Sequence, residues 1–339
     1  MSGARALPAE CYRDPAHFER EAERVLRPAW HPVARWDELP EPGDYRSFEL
    51  CGEPLVLVRD EAQRLRVLSR VCRHRAHTVV EGRGHARSLV CPYHRWSYGL
   101  DGSLRSAPLM KEVSGFDAAR CGLPELPTTR WQGFLLTTLA PSPPPFCDAL
   151  GPLDARLAGR RLGELVTLDV LEFDSPWNWK VMAENFMESY HHLGPHAESL
   201  QRTNPAQATF CAELEGPFSV LENPGTGEAP SFLVAHVFPT LLLFVQEGEP
   251  IAVWYELQID RVDHFALRIH VLATPELARV EGAAAGIAEV VRQVHLEDIA
   301  VCEGVQRGLR SRLWEPGPLA RQEECLARFH RHLAERLGA

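Results

Sequence analysis

The sequence predicts an α+β protein built from two successive units, and three observations support this prediction. Residues from about 36 to 139 are rich in turn residues and in short, strand-like apolar runs. The proline-rich segment 141–145 then provides a stiff linker. Beyond the linker, strand-like runs between about 217 and 273 are combined with stretches of helical periodicity. The first unit is therefore predicted to be all-β, whereas the second combines a sheet with helices.

Each predicted element has a definite place along the chain. A first helix is predicted near 15–26, and the strand-rich unit closes with a strand at 131–139. The helices predicted in the second unit lie near 178–193, 283–309 and 319–337. The expected domain bounds are 1–35 for an N-terminal helical segment, 36–145 for the small β unit with its linker, and 146–339 for the second unit.

Composition and charge exclude several classes of function. With 45% hydrophobic and 24% charged residues, the 339-residue chain resembles an ordinary globular protein. Lysine and arginine number 36 against 46 acidic residues, and the net charge of −10 is not accompanied by a basic stripe for nucleic acid. The longest apolar run, 232–245, is too short to cross a bilayer, and the N-terminus has no signal-like apolar core. We therefore expect a cytoplasmic protein that binds neither nucleic acid nor membrane.

Two Cys–His pairs predict a redox centre. Cys72-Arg-His74 and Cys91-Pro-Tyr-His94 each contribute one thiolate and one imidazole. A Rieske-type [2Fe–2S] cluster needs this set, because two cysteines hold one of its irons and two histidines hold the other. Zinc is the alternative, but its Cys2His2 sites usually pair the two cysteines in one half and the two histidines in the other. The remaining seven of the nine cysteines have no framework spacing and are interpreted as reduced thiols.

A second group of metal-binding side chains is predicted in the second unit. Glu188 and His191 are three residues apart and would share one face of the predicted helix. His196 would point elsewhere on a continuous helix, but Gly194-Pro195 allows the chain to turn. Both histidines can then face one metal. Taken alone, the two histidines would be interpreted as solvated surface residues.

A carboxylate candidate lies on the long helix predicted near 283–309. Asp298 interrupts an apolar stripe that includes Val291, Val294 and Val301. An ionised carboxylate on such a stripe needs a metal or a buried salt bridge to arginine. Its neighbour Glu297 lies about 100° round the helix, on a more polar row. Two histidines and one carboxylate make the facial triad of non-haem Fe(II) oxygenases, which leaves positions open for O2 and substrate.

With these motifs the chain resembles the α subunit of a Rieske non-haem iron oxygenase, in the aromatic-ring-hydroxylating family. The resemblance covers nearly the whole chain and rests on both Cys–His pairs, Asn178-Trp-Lys180, Tyr190-His191, His196 and Glu297-Asp298. It implies an all-β Rieske [2Fe–2S] domain and a helix-grip catalytic domain, an antiparallel sheet around a long helix, on which the N-terminal segment packs. It also implies the ligands of the two centres, which are Cys72, His74, Cys91 and His94 for the cluster and His191, His196 and Asp298 for a mononuclear Fe(II).

One departure from the family pattern concerns Glu188. Many family members have aspartate three residues before the first iron histidine, where it bridges to a Rieske histidine of the neighbouring subunit. Glutamate there resembles the branch that acts on quaternary ammonium compounds such as choline, glycine betaine and carnitine. That branch usually reads Glu-Cys-Tyr-His-Cys, whereas residues 188–192 read Glu-Ser-Tyr-His-His. Glu188 is therefore expected to be the bridging carboxylate, but it is only a hint about the substrate.

The resemblance further implies a multicomponent oxygenase. An NAD(P)H-dependent reductase, with or without a ferredoxin, would reduce the cluster, since no dinucleotide fingerprint is evident in the chain. In a homotrimer, the electron would pass through His94 and Glu188 to the iron of the adjacent subunit, where O2 reacts with a small-molecule substrate. Monohydroxylation or oxidative demethylation is the expected reaction, and cis-dihydroxylation of an aromatic ring is the alternative. A Rieske electron carrier without oxygenase activity is the alternative from another class.

The substrate chamber is expected to be mostly apolar. Its candidate lining residues, chosen by motif proximity and strand alternation, are Phe186, Phe218, Val234, Phe244 and Trp254. Trp177, Trp254 and Tyr255 are candidates for a cationic cage. Aromatic residues on a half-buried sheet are more often plain core, which is the alternative for all three.

Overall fold

A computed structural model describes residues 3–248 and 251–338. The chain forms two compact units that alternate along the sequence. The large unit comprises the chain up to Pro32, the short segment Trp131–Gly133 and the chain from Pro144 onward. The small unit comprises Val33–Arg130 and Phe134–Pro143. The small unit is thus inserted between the N-terminal segment and the C-terminal half, which belong to one unit.

Short strands joined by tight turns form the small unit. The strands in this part of the chain are β1 (His31–Arg35), β2 (Asp44–Leu50), β3 (Glu53–Arg59), β4 (Leu65–Ser69), β5 (Arg83–His85), β6 (Leu89–Val90), β7 (Ser97–Tyr98), β8 (Leu104–Ser106), β9 (Thr128–Trp131) and β10 (Phe134–Thr137). They form a four-stranded sheet of order β4-β3-β2-β5 and two three-stranded sheets of orders β6-β7-β8 and β1-β10-β9. The prediction of an all-β first unit is confirmed.

Two hairpin turns show how the sequence fixes these strands. Cys51-Gly52 joins β2 to β3, and both residues have positive φ, at 50° and 79°. A two-residue hairpin turn of type I′ requires positive φ at both central positions. Gln132-Gly133 repeats this pattern between β9 and β10, with φ of 49° and 81°. The segment predicted as a single strand at 131–139 therefore contains the last residue of β9, a two-residue turn and β10.

The large unit contains a seven-stranded antiparallel sheet of order β11-β17-β16-β15-β14-β13-β12. Its strands are β11 (Val166–Ser175), β12 (Phe210–Cys211), β13 (Phe218–Asn223), β14 (Phe232–Val237), β15 (Leu241–Gln246), β16 (Ile251–Arg261) and β17 (His264–Ala273). Its helices are α1 (Glu10–Arg13), α2 (Pro15–Glu21), α3 (Gly151–Leu157), α4 (Trp179–Phe186), α5 (Leu200–Thr203), α6 (Pro275–Ala278), α7 (Ala283–Gly308) and α8 (Glu324–Leu337). The long helix α7 packs against α4, β11 and β17. The predicted α+β fold, an antiparallel sheet with a long helix, is confirmed; β11 was not among the predicted elements.

The helix predicted near 178–193 is shorter than expected. Asn178 caps α4, because its side chain accepts the Lys180 N–H, but the helix ends at Phe186. A separate 3-10 turn follows at Tyr190–Leu193. Glu188 accepts the His191 N–H at 3.0 Å, so its carboxylate satisfies a backbone donor that a continuous helix would use. The expectation that Glu188 and His191 share one face of an uninterrupted helix was wrong for this reason.

Buried polar contacts hold the N-terminal segment to α4. Lys180 Nζ donates to Glu21 Oε2 at 2.7 Å, and both side chains are fully buried. Asn178 Nδ2 donates to the Tyr12 carbonyl at 3.1 Å, and the Tyr12 hydroxyl donates to Glu184 at 2.6 Å. The helix that leads into the first candidate iron ligand is therefore positioned by residues far earlier in the chain.

The points where the chain leaves and regains the large unit are adjacent. Trp30 Nε1 donates to the Pro144 carbonyl at 2.9 Å, and the two residues lie 114 positions apart in sequence. Phe146 packs edge-on against Trp30, with the ring centroids 6.4 Å apart. In the described ranges, none of the helices has the length and apolar character needed to cross a membrane.

Candidate metal centres and substrate cavity

Three side chains of the large unit converge on one point. His191 lies in the 3-10 turn, His196 follows the Gly194-Pro195 turn, and Asp298 projects from α7. One ligand atom from each lies within 4.8 Å of the others. Asp298 Oδ1 is 3.0 Å from His196 Nε2 and 3.6 Å from His191 Nε2. Two imidazoles and one carboxylate in this arrangement fit a facial triad for iron.

In each histidine, the ring nitrogen that faces away from Asp298 is hydrogen-bonded to a glutamate carboxylate. His191 Nδ1 donates to Glu188 at 2.7 Å, and His196 Nδ1 donates to Glu297 at 2.6 Å. A carboxylate can only accept, so each Nδ1 carries a hydrogen, and Nε2, which faces Asp298 in both rings, is the nitrogen left to bind a metal. Such outer partners orient metal-ligating histidines and raise their basicity. The donor set and the tautomers therefore fit a bound iron.

The placement of Glu297 corrects the sequence analysis. Glu297 was expected on a polar row, away from the centre. The loop carrying His196 lies along α7, so adjacent helix positions contact opposite edges of one ring: Asp298 at Nε2 and Glu297 at Nδ1. The Ser199 hydroxyl also donates to Glu297 at 2.7 Å. The adjacent acidic pair was visible in the sequence, but the position of the loop was not.

Electrostatics favour the ionised form of the buried carboxylate. Burial alone would raise the pKa of Asp298. The pKa is nevertheless lowered, because the hydrogen bond from His196, the charges of both histidines and the hydrogen bond from the Asn185 amide together outweigh burial. Asn185 Nδ2 donates to Asp298 Oδ1 at 3.2 Å. For His196, burial lowers the pKa, and the two carboxylates reverse this and raise it. Asn185 follows Glu184 in the sequence and was not predicted as a site residue.

In the small unit, the two Cys–His loops share one backbone pattern. The Cys72 N–H donates to the His77 carbonyl and the Cys91 N–H to the Trp96 carbonyl, at 2.9 and 2.8 Å. In each loop the residue four positions after the cysteine donates back to the cysteine carbonyl and has positive φ: 56° at Ala76 and 60° at Arg95. Two matching turns thus present the Cys–His pairs.

The side chains of these loops fit an iron–sulfur cluster. Cys72 and Cys91 are buried in the apolar core of the small unit. The His74 and His94 rings lie 4.6 Å apart, and Trp96 stacks on His74 at 4.9 Å. His94 Nδ1 is buried without a hydrogen-bond partner among the described residues. A buried nitrogen without a partner is costly unless something binds it, and a cluster iron would do so.

A cavity of about 160 Å³ adjoins the triad in the large unit. Its sheet side is lined by Phe232, Val234, Phe244, Val253 and Tyr255, and Phe186, Val290, Val291 and Val294 come from the helices. Of the predicted substrate residues, Phe186, Val234 and Phe244 therefore lie at the cavity.

Phe218 and Trp254 do not line the cavity, and this corrects the sequence analysis. Trp254 lies between Val253 and Tyr255 on β16, and successive strand residues point to opposite faces. Its ring is fully buried and stacks on His270 at 4.2 Å. Phe218 pairs with Val237 on β14, three residues from the lining Val234 and so on the other face. The cationic cage of Trp177, Trp254 and Tyr255 is not formed, since Trp177 packs against Phe265.

Comparison with known families identifies the class of protein. The model of the Rieske [2Fe-2S] domain matches residues 29–121, and the model of the ring hydroxylating alpha subunit catalytic domain matches residues 164–221 and 218–339. The chain belongs to this family of Rieske non-haem iron oxygenases. It is the oxygenase component of a multicomponent enzyme, with a Rieske [2Fe–2S] cluster and a mononuclear iron, and it depends on a reductase for electrons.

Its relatives include several named monooxygenases. The carnitine monooxygenase oxygenase subunit of Acinetobacter baumannii is 30% identical over 337 residues, which cover 90% of this chain and 85% of the relative. The chloroplastic choline monooxygenase of Arabidopsis thaliana is 26% identical, covering 97% and 82%. The solved structure of a quaternary ammonium Rieske monooxygenase, concerned with carnitine oxidation by gut microbiota and inter-subunit electron transfer, superposes with a TM-score of 0.89. It is 25% identical, covering 98% of this chain and 95% of that one.

Proposed function

We propose that His191, His196 and Asp298 bind the mononuclear iron at which a small organic substrate is oxidised. The observation that supports this proposal is that both ring nitrogens of each histidine are positioned by carboxylates. Each Nδ1 is fixed by a carboxylate while the Nε2 atoms face Asp298. When bound, the iron activates dioxygen and the cluster supplies single electrons. Cys72, His74, Cys91 and His94 are the proposed cluster ligands.

The surrounding residues have separate tasks. Glu188 and Glu297 hold the imidazoles in place. Asn185 donates to Asp298 and keeps that carboxylate oriented. The apolar wall keeps water away from the reacting substrate, which strengthens every electrostatic contact in the cavity.

Glu188 is the proposed link between subunits. Its carboxylate already contacts both the ring and the backbone of His191. In a homotrimer it would also meet His94 of the neighbouring copy, so that electrons pass between subunits. The related solved structure, which concerns inter-subunit electron transfer, supports this arrangement. The proposed electron donor is an NAD(P)H-dependent reductase, with or without a ferredoxin.

The proposed reaction is monohydroxylation or oxidative demethylation. It is supported by relatives named as monooxygenases. Dihydroxylation of an aromatic ring is the second candidate, because the apolar cavity is large enough for a single ring. A pure electron carrier would have no use for the converging triad.

Metal and sulfide analysis tests the ligand assignment. The purified protein should contain a [2Fe–2S] cluster with inorganic sulfide and one further iron. His196→Ala should lose the further iron and oxygenation, while the reduced protein keeps its Rieske paramagnetic spectrum. His332→Ala, a histidine on α8 outside the cavity lining, is the matched control and should keep both centres. Tightly bound zinc without sulfide would contradict the proposal.

A further inference from the structure

We propose that Cys211 and Cys325 of the large unit are a peroxide-sensitive thiol pair, which forms a reversible disulfide and thereby fastens α8 to the edge strand β12. In the sequence these cysteines have no framework spacing and are interpreted as reduced thiols. Neither cysteine lines the substrate cavity or belongs to the proposed ligand sets, so this pair goes beyond the proposed function.

The two sulfur atoms are in contact. Cys325, in the first turn of α8, donates its thiol hydrogen to Cys211 Sγ on β12 at 2.9 Å, although the two residues lie 114 positions apart in sequence. Both are free thiols in the structure. A disulfide bond is about 2.05 Å long, so the sulfur atoms have to approach each other by roughly 0.9 Å. The fold therefore brings two distant thiols together in a position to react.

Hydrogen bonds beside the sulfur atoms keep β12 and α8 together. Arg328 lies one turn after Cys325 on α8, and its Nη1 donates to the carbonyls of Ala212 and Leu214, each at 3.0 Å. Ala212 directly follows Cys211 in the chain. The segment that carries one thiol is thus bound to the helix that carries the other, and this fixes the contact between the sulfur atoms.

The two thiols differ in a way that favours stepwise oxidation. The hydrogen bond from Cys325 and the charge of Arg328 outweigh burial and lower the pKa of Cys211. The same hydrogen bond and burial raise the pKa of Cys325 well above its ordinary value. Cys211 is also the more accessible of the two, at 8% exposure against 1%. Because the thiolate is the nucleophile, Cys211 is the thiol that reacts first with a small oxidant.

The oxidant in this reaction is hydrogen peroxide. The Cys211 thiolate attacks one peroxide oxygen, the O–O bond breaks, and the products are a sulfenic acid and hydroxide. The Cys325 thiolate then attacks the sulfenic sulfur, forms the S–S bond and releases a second hydroxide. The two thiol protons convert both hydroxides to water. Two thiols and one peroxide thus give one disulfide and two waters, with two electrons passing from sulfur to peroxide.

The disulfide would join two elements next to the support of the iron site. The two-residue strand β12 lies at the edge of the sheet, where it pairs with β13. Helix α8 packs against both strands, and its His330 Nε2 donates to Glu184 of α4 at 2.9 Å. The segment with Glu188 and His191 follows α4 directly. A covalent bond between β12 and α8 would therefore hold a helix that contacts α4.

Peptide mapping of the holoenzyme tests whether the bond forms. The reduced protein would be treated with a small excess of hydrogen peroxide, its remaining thiols blocked, and its peptides analysed by mass spectrometry without reductant. We expect a crosslinked peptide pair that joins Cys211 to Cys325 and disappears after treatment with dithiothreitol. The Rieske spectrum would report that the cluster is intact. Absence of this crosslink, or a crosslink of either cysteine to a different one, would overturn the proposal.

Single variants test the order of the two steps. Cys325→Ala should stop the reaction at the sulfenic acid, which dimedone labels. We expect at least about tenfold more label on Cys211 in this variant than on Cys325 in Cys211→Ala, because the thiolate fraction falls as the thiol pKa rises. Cys147→Ser, which removes an exposed thiol, is the control and should form the disulfide as the parent does. Equal labelling, or loss of the disulfide in the control, would contradict the assigned roles.

Thermal unfolding tests whether the bond fastens α8. The disulfide closes a long loop, since its cysteines are 114 positions apart, and so restricts the unfolded chain. We expect the oxidised parent to unfold about 5 °C higher than the reduced parent. Comparison of two forms of the parent does not depend on the folding of a variant. Cys211→Ala treated in the same way should show no rise. An oxidised parent that contains the disulfide but unfolds at the same temperature would overturn the fastening of α8.

Discussion

At the scale of single residues, the iron site depends on how each histidine is held rather than on the three ligands alone. Glu188 comes from the segment after α4 and Glu297 from α7, so two separate parts of the chain fix the two rings. The sequence indicated Glu188, which is near its histidine in the chain. It did not indicate Glu297, because that contact joins residues 101 positions apart. The relative position of a loop and a helix is a tertiary property that helical periodicity does not contain.

Glu297→Gln should weaken iron binding. An amide cannot act as the anionic partner of His196 Nδ1, and loss of such an outer partner commonly costs about 10–100-fold in metal affinity or activity. Iron affinity would be measured by competition with a chelator. Glu289→Gln on the exposed side of the same helix is the control and should leave the affinity unchanged. Parent-like iron affinity in Glu297→Gln would show that the anionic partner at Nδ1 is not needed to hold the His196 ring.

Glu188→Gln, fully loaded with iron, should keep its cluster but lose most turnover, because the link between the two centres is broken. Shortening the side chain in Glu188→Asp should also be harmful if the subunit contact is built around the longer side chain. Stopped-flow mixing of the reduced variants with O2 and substrate would report the rate of Rieske reoxidation. Glu198→Gln, at an exposed carboxylate paired with Arg202, is the control. Reoxidation as fast as in the parent protein would make Glu188 a bystander.

At the scale of elements, the sequence predicted the long helices and the central strands better than the connections between them. The predicted 283–309 helix is α7, Ala283–Gly308, whereas the helix predicted near 178–193 stops at Phe186. Trp254 shows a second limit. Both faces of β16 are apolar along 252–255, so alternation could not reveal which face adjoins the cavity.

The buried pair Lys180–Glu21 should make α4 depend on the N-terminal segment. Lys180→Met alone leaves the Glu21 carboxylate buried without its cation and should cost about 3–5 kcal/mol of folding free energy. The double variant Lys180→Met/Glu21→Leu removes both charges and should recover most of this loss. Thermal unfolding and iron content would be measured for both. A double variant as unstable as the single one would mean that packing, rather than charge, is responsible.

The buried histidine on β14 should make stability depend on pH. Burial lowers the pKa of His236 to about 4, against a smaller opposite effect of its bond to the Pro239 carbonyl. Between about pH 6.5 and 4 the unfolded chain binds this proton and the folded protein does not, so stability is lost as pH falls through that window. The loss approaches roughly 3 kcal/mol at the low end, from 1.36 kcal/mol per pKa unit. Urea midpoints at pH 7.5 and 5 should fall less in His236→Gln than in the parent, and equal falls would contradict the assignment.

At the scale of the whole molecule, the proposed trimer predicts complementation. Cys72→Ser should disable the cluster and His196→Ala should disable the iron, so neither variant should turn over substrate alone. Mixed trimers of the two would place an intact cluster beside an intact iron in a neighbouring subunit. Co-expression with two affinity tags, followed by purification on both, should recover part of the parent activity. Mixed trimers without activity would show that electrons remain within one subunit.

The contact between Trp30 and Pro144 has a consequence for how such a chain can be rebuilt. The polypeptide leaves and regains the large unit at neighbouring points. The intervening stretch is therefore a cassette, a segment that can be exchanged as one piece between two adjacent junctions. A cassette can change in length and sequence without shifting the register of the seven-stranded sheet. Only the short return at Trp131–Gly133, which is tied to Asp154 by two hydrogen bonds, has to be kept. Recombination at those two sites would therefore exchange the electron-accepting module of one oxygenase for that of another while leaving the substrate cavity untouched.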